Sequence, residues 1–230
     1  MKRFWKEVAL EPEDGSWRVA LDGRPVRTPA RALLTLPTRD LGEAVAAEWR
    51  ETGETIDPRA MPLTGLSNAA IDRVATAPDA FAEGLARYAA SDLLCYRAEG
   101  PAKLVALQSE QWDPLLQWAR RRYDVDFVVT QGVLPVDQSV ETIAKLGQAT
   151  AVLDPFTLAA MSPLVTIGGS LVAGLALVEQ AITVDAAWEA VSLDDRWQLE
   201  QWGSDAEAEK ALAAREADFR SGHRLLTLLG

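Results

Sequence analysis

Apolar positions alternate with polar ones along the first 36 residues, and from there on they recur every three or four residues. The first pattern predicts strands and the second predicts helices. Phe4 to Leu10 forms one extended run, and Trp17, Val19 and Leu21 form an alternating set in a second. Asp14-Gly15 and Asp22-Gly23 are turn dipeptides of the kind that close hairpins, because both residue types tolerate positive φ. Val26 and then Leu33 to Leu36 add further short runs, giving a small antiparallel meander. Thr38 is placed to open a helix carrying Leu41, Ala44, Val45, Glu48 and Trp49 a turn apart, and Gly53 is placed to stop it. Glu48 is the one polar residue in that stripe, which otherwise suits packing on the meander.

The remaining chain reads as mainly helical. Thr76 is expected to cap a segment bearing Phe81, Leu85 and Tyr88. Leu104, Leu107, Trp112, Leu115 and Tyr123 keep the helical period, with Pro114 expected to interrupt it and Asp113 to cap a restarted helix. Phe127 to Leu134 looks extended. Asp154-Pro155 and Ser162-Pro163 read as a cap followed by a first-turn proline. Ser192 with Asp195, and Ser204 with Glu207, have capping-box spacing. The last helix should run from about Asp205 towards Leu226. The fold class is therefore α+β: a small β meander with a helix over residues 1–75, then a larger mainly α-helical domain over residues 76–230.

Pro155 to Val178 carries no charge, and its length would suffice to span a bilayer. Pro163, Gly168 and Gly169 divide it, Ser162, Thr166 and Ser170 add polar groups, and no basic cluster flanks it. A central helix surrounded by other helices fits better than membrane insertion. Gly169/Ala173 and Ser170/Gly174 place small residues at i, i+4, which permits close helix approach.

Charge changes the picture next. The net charge is −11 over 230 residues, and it is uneven. Thr183 to Asp218 holds ten acids against three bases, whereas residues 1–60 hold eleven against ten. Such a field disfavours nucleic acid and anionic lipid; it either keeps the chain soluble or favours a basic partner surface. The single cysteine, Cys95, excludes an internal disulfide and suits a reducing compartment and a buried structural role. The opening Met-Lys-Arg-Phe-Trp-Lys-Glu-Val contains no export or organelle signal, so a cytoplasmic location is expected.

Enzyme signatures are sparse. His223 is the only histidine, and one His with one Cys supplies neither a His-based triad nor a metal cluster. Gly168-Gly169-Ser170 lacks the basic residue of a phosphate cradle and reads as packing. Arg120, Arg121 and Arg122 read as a solvated helix face. Asp194/Asp195 and Glu207/Glu209 are acids too close in sequence to face one another across a cleft. A small carboxylate-dependent enzyme of unknown substrate stays open as the alternative reading.

The most informative stretch is Ser192 to Glu209, SLDDRWQLEQWGSDAEAE. On a helix, Leu193 and Trp197 share one face, while Asp194, Gln198 and Gln201 share a polar one. Trp202-Gly203 ends this helix, and Ser204 starts the next. Trp197 and Trp202 beside these charges fit either a binding hot spot or ordinary core.

Taken in order, several blocks resemble the ATP-twelve family, assembly chaperones of the F-type ATP synthase head. They are KRFWKEV, LDGRPVRTP, the Glu48-Trp49 pair, MPLTGLSNAAID, DLLCYRA, SEQWDPLLQW, SPLVTIGGSLVAGLAL and DDRWQLEQWG. The resemblance covers essentially the whole chain. It implies a non-enzymatic chaperone that binds the free alpha subunit, covers the surface that later meets the beta subunit, and needs no nucleotide or other cofactor. It implies a partner-binding surface of Asp194, Trp197, Gln198, Gln201, Trp202 and Asp205, with Asp194 matching the acid on which the family relies in its penultimate helix. Trp49 and Asp72 would be structural, Trp49 supporting the fold or the seam between the two parts. A monomer when free is expected. Where mitochondrial members carry a His-Asp pair after the Trp-Gly, this chain has Glu209-Lys210, which fits a bacterial member.

Overall fold

The computed structural model describes residues 2–132, 134–203 and 205–230, with the side chain of Trp202 outside that description. The chain forms two units: Met1–Pro78 with Asp154–Ala160 and Arg224–Gly230, and Asp79–Leu153 with Met161–His223. Both units contain strands and helices, with the larger sheet in the first, which gives the α+β class.

The first unit is built on β1 (Val8–Glu13), β2 (Ser16–Leu21), β3 (Arg24–Pro25) and β4 (Thr35–Leu36). β2 is central, pairing antiparallel with β1, β3 and β4. Glu13 faces Ser16 and Leu21 faces Arg24, so each hairpin loop has two residues. Asp14 (φ 43°), Gly15 (φ 80°), Asp22 (φ 47°) and Gly23 (φ 75°) all sit in the left-handed region, as mirror-image hairpin turns demand. The first strand begins at Val8 rather than Phe4. The amides of Lys6 and Glu7 bond to the Asp22 carboxylate at 3.0 and 2.8 Å instead of to a neighbouring strand, and Phe4 is exposed.

Helix α1 (Arg39–Glu51) starts at Thr38, whose hydroxyl accepts from the Leu41 amide. Its inward residues Leu41 and Val45 join Trp5, Val19, Leu34 and Leu36 in one core. Glu48 is also buried. Its carboxylate accepts from the amides of Leu63 and Thr64, both at 2.8 Å, and from the Thr64 hydroxyl at 2.7 Å. These amides belong to the first turn of α2 (Pro62–Ala69), whose own cap residue Met61 supplies no side-chain bond. The polar residue in an apolar stripe thus caps another helix.

The second unit contains α3 (Pro78–Ala86), β5 (Tyr96–Arg97), α4 (Ala102–Tyr123), β6 (Thr130–Gln131) and α5 (Val140–Ala151). Then follow α6 (Pro155–Gly168), α7 (Leu171–Val178), α8 (Val184–Val191), α9 (Leu193–Trp202) and α10 (Ala206–Leu229). Residues 155–160 of α6 and 224–229 of α10 belong to the first unit.

Several local signals yield to tertiary context. Thr76 does not cap α3; its hydroxyl donates to the carbonyls of Asp72 and Arg73. Pro114 lies inside α4, which continues through it, and Asp113 pairs with the buried Arg97 at 2.7 Å instead of capping. Pro163 likewise lies inside α6. Asp154, by contrast, caps α6 as its position predicts, accepting from the amides of Phe156 and Thr157. Among the described residues between Phe127 and Leu134 only Thr130–Gln131 pairs as a strand, parallel to β5. The Gln138 side chain takes both backbone groups of Val128, and Val133 lies outside the described residues.

The charge-free stretch forms α6 and α7 joined at Gly169 (φ 67°), with residues Leu171 to Leu177 all buried. Among the described residues no helix is long and apolar enough to cross a membrane. A Cβ on Gly174 would stand 2.7 Å from Val165 Cγ2 and 3.3 Å from Met161 Cε, so only glycine allows α7 to lie this close to α6. At the N-terminus of α7 the fully buried Asp92 accepts from the amides of Val172 (3.0 Å) and Leu94 (3.1 Å). Burial pushes its pKa up to about 6 against these bonds.

Candidate partner-binding surface

Helix α9 is locked to α8 at its start. The Ser192 hydroxyl donates to the Trp188 carbonyl (2.6 Å) and accepts from Arg196 Nε (3.2 Å), while Arg196 Nη2 donates to the Glu189 carbonyl (2.8 Å). Ser192 therefore forms no capping box with Asp195, because its oxygen already serves Arg196. The Trp112 indole donates to the Ala190 carbonyl at 2.8 Å, tying α4 to the end of α8. Gly203 (φ 85°) ends α9.

Leu193 is buried and Trp197, one turn on, is half-buried. The Lys103 ammonium lies 5.5 Å from the Trp197 ring centroid, within reach of a cation–π attraction. Asp194 is half-buried too. Its Oδ1 accepts from Gln108 Nε2 at 2.8 Å. Gln108 is itself buried, and its Oε1 accepts from the Ala98 amide at 2.8 Å. One amide side chain thus spans the segment after β5, α4 and α9. Desolvation raises the Asp194 pKa; the Gln108 bond opposes the rise and the neighbouring Asp195 charge adds to it.

The other predicted contact residues are more open. Gln198 and Gln201 are exposed on α9. Gln198 lines a groove of about 340 Å³ with Leu199, Ala208, Ala211 and Leu212, at whose edge Asp195 pairs with Arg215 at 2.8 Å. Asp205 is exposed and accepts from the Glu207 amide at 3.1 Å, so it starts α10; Ser204, the predicted partner of Glu207, lies outside the described residues. Trp202 closes α9, with its side chain likewise outside them. Trp49 and Asp72 belong to the first unit. The Trp49 carbonyl accepts from the Trp5 indole (3.3 Å), and the two rings meet edge-on at 5.2 Å. Asp72 Oδ2 accepts from the Ala30 amide at 2.9 Å.

Two neighbours of the site, Gln108 and Lys103, escaped the sequence reading. Gln108 had a visible signal: it sits four residues from both Leu104 and Trp112, a polar residue on an apolar stripe. Lys103 had none, since a lysine beside a helix start is ordinary.

Other candidate chemistry resolves into structure. Cys95 is buried, and burial pushes its thiol up to about 12. Arg120 pairs with Asp126, and Arg122 with Glu179. Among the described residues no group of three or more His, Cys, Asp or Glu side chains is placed to hold a metal ion.

Atp12 from Paracoccus denitrificans has the same fold, with a TM-score of 0.93 at 44% identity, over 100% of this chain and 98% of that one. An aspartate-to-lysine mutant of the same protein matches equally well. The Atu1473 protein of Agrobacterium tumefaciens matches with a TM-score of 0.92 at 38% identity, over 100% of this chain and 86% of its own. The mitochondrial protein atp12 of Schizosaccharomyces pombe is 25% identical over 215 residues, 88% of this chain and 74% of that one. The family described as ATP12 chaperone protein matches residues 2–120. Sequence and fold together place this chain in the ATP12 family, chaperones of ATP synthase assembly.

Proposed function

We propose that the chain binds the free alpha subunit of the ATP synthase catalytic head and covers the surface that later meets the beta subunit. In this reading the contact is made by α9 and the start of α10, through Asp194, Trp197, Gln198, Gln201, Trp202 and Asp205. No bond is made or broken and no cofactor is used. The chain works in the cytoplasm and is a monomer until it meets its partner.

The observation that supports this reading most is the state of Asp194. A carboxylate that is half-buried, raised in pKa and held by the single amide of Gln108 keeps unused acceptor capacity at the molecular surface. It lies in the most acidic part of the chain and next to Trp197. An acid and an indole side by side suit a basic, partly apolar partner surface through charge steering and area burial. Release to the beta subunit requires a moderate grip, of roughly micromolar order.

The test is direct. Isolated alpha subunit aggregates less and forms a heterodimer on sizing when mixed with the chain; equal aggregation with and without it would remove the reading. Asp194→Lys should weaken the complex while leaving helical content intact. An unchanged affinity would take Asp194 out of the contact.

A further inference from the structure

Asp194 and Asp195 are neighbours in the first turn of α9, and the fold treats them differently. Asp195 pairs with the Arg215 guanidinium at 2.8 Å, so its charge is met by a cation of the chain itself. Asp194 is met by a neutral donor, Gln108 Nε2, also at 2.8 Å. An ion pair would cancel the charge that a basic partner has to find. An amide holds the carboxylate and leaves the charge in place. Gln108 is 1% exposed, and α4 sets it one turn from both Leu104 and Trp112, which are buried. A polar group there must be bonded at both ends. Oε1 accepts from the Ala98 amide at 2.8 Å, and that N–H can only donate. It therefore fixes which end of the side chain is oxygen and turns the NH₂ end towards α9. Glutamate would serve Ala98 but set a second carboxylate against Asp194. Lysine or arginine would neutralise Asp194, and leucine would serve neither neighbour.

We propose that Gln108 is a positioning residue for partner binding, acting from the interior through Asp194. It fixes one carboxylate oxygen on α9 and leaves the other, with the full charge, for a basic surface of the partner. The inference rests on Asp194 being a contact residue, as proposed above, and extends that contact to a buried side chain that the partner never touches. Two physical effects carry it. A side chain already held in its bound rotamer loses less freedom when the complex forms. An unheld aspartate in the first turn of a helix is also drawn to the unpaired amides of that turn, and Ser192 gives those of α9 no side-chain cap. The Gln108 bond keeps Asp194 from that competing arrangement.

The experiment uses the full chain, the variants Gln108→Leu and Asp194→Ala and the two combined, with isolated alpha subunit as the partner. Gln108→Leu should weaken the complex about fivefold, the cost of ordering one freed side chain. In the Asp194→Ala background the same change should cost less than about twofold, because the group it acts through is gone. In the free chain, the NMR titration midpoint of the Asp194 carboxyl should rise by about one pH unit in Gln108→Leu, since the lost bond favours the ionised form. A residue that only stabilises the fold would cost the same in both backgrounds and leave that midpoint in place. Gln108→Glu keeps the acceptor for Ala98 and removes only the donor. It should match Gln108→Leu in both readouts, and it replaces that variant if leucine unfolds the chain. The inference is overturned if the midpoint stays where it was, or if the Gln108 change costs as much with Asp194→Ala as without it. If Asp194→Ala weakens the complex and Gln108→Leu does not, the α9 contact stands and the role of Gln108 falls. If Asp194→Ala itself costs nothing, the contact assigned to Asp194 falls and takes this inference with it.

Discussion

Replacing Glu48 by alanine should be among the most damaging single changes in the first unit, although it removes neither apolar area nor an ion pair. The Glu48 carboxylate takes three bonds of 2.7–2.8 Å, from the Leu63 amide, the Thr64 amide and the Thr64 hydroxyl. The two amides lie in the first turn of α2, where no intrahelical acceptor exists and Met61 offers none. Glu48 is 8% exposed and Leu63 is fully buried, so water replaces the lost acceptor poorly. Each stranded buried donor costs about 1–3 kcal/mol, and the carboxylate's favourable charge at a helix N-terminus adds about 0.3–1 kcal/mol. For two stranded amides and the lost charge the sum for Glu48→Ala is about 2–7 kcal/mol. With a urea dependence of about 2 kcal/mol per molar, the unfolding midpoint of this unit should fall by about 1–3.5 M. Hydrogen exchange at the Leu63 and Thr64 amides should accelerate by at least as large a factor. Glu48→Gln keeps the volume and one acceptor oxygen but turns an NH₂ group towards a donor, and should cost roughly half as much. A midpoint shift below about 0.5 M for Glu48→Ala would refute the argument, since it would mean that the α2 amides do not depend on this carboxylate.

Other outcomes follow from the same physics. Asp92 has a folded pKa raised from 3.8 to about 6, so the folded state holds its proton while the unfolded chain has lost it. Its contribution to stability is therefore greatest below pH 3.8 and is lost as pH rises through 6, an effect of about 3 kcal/mol. Asp92→Asn should abolish that part of the pH dependence in urea unfolding between pH 4 and 7, and an unchanged difference between the two pH values would refute it. Gly174→Ala gains about 1 kcal/mol of helix propensity but forces a Cβ to 2.7 Å from Val165, which costs about 1–3 kcal/mol. Its melting temperature should fall; an equal or higher one would show that α6 can move aside. Cys95, buried with a thiol pushed up to about 12, should react with a thiol reagent only after denaturation. Prompt labelling of the native chain would contradict its burial.

Much of the first unit was legible because its signals are short-range. An Asp-Gly pair between alternating runs fixes a two-residue hairpin through the φ values that those residues tolerate, and both hairpins form where the dipeptides stand. Thr38 caps α1 because its oxygen needs only an amide three residues away. The prolines were misleading for the converse reason. A proline fits the first turn of a helix and also a tolerated interior position, and the choice depends on what surrounds it. At Pro114 the candidate cap Asp113 is drawn off to Arg97, and at Pro163 the stretch on both sides is held helical by burial. Ser192 failed as a capping box because Arg196, a turn later, claims its oxygen.

By itself the sequence determined the strand-then-helix order, the acidic end of the chain and a charge-free stretch destined for the interior, because composition and period act over a few residues and need no partner. It also singled out Glu48 as anomalous without saying what the anomaly was for. Tertiary structure alone decided which acids are held and which are free. Glu48 meets α2, Asp92 meets α7 and Asp194 meets Gln108, across separations of 15 to 86 residues that no local pattern encodes. Those meetings set burial, burial sets hydrogen bonding and pKa, and Asp194 is left half-buried with acceptor capacity to spare.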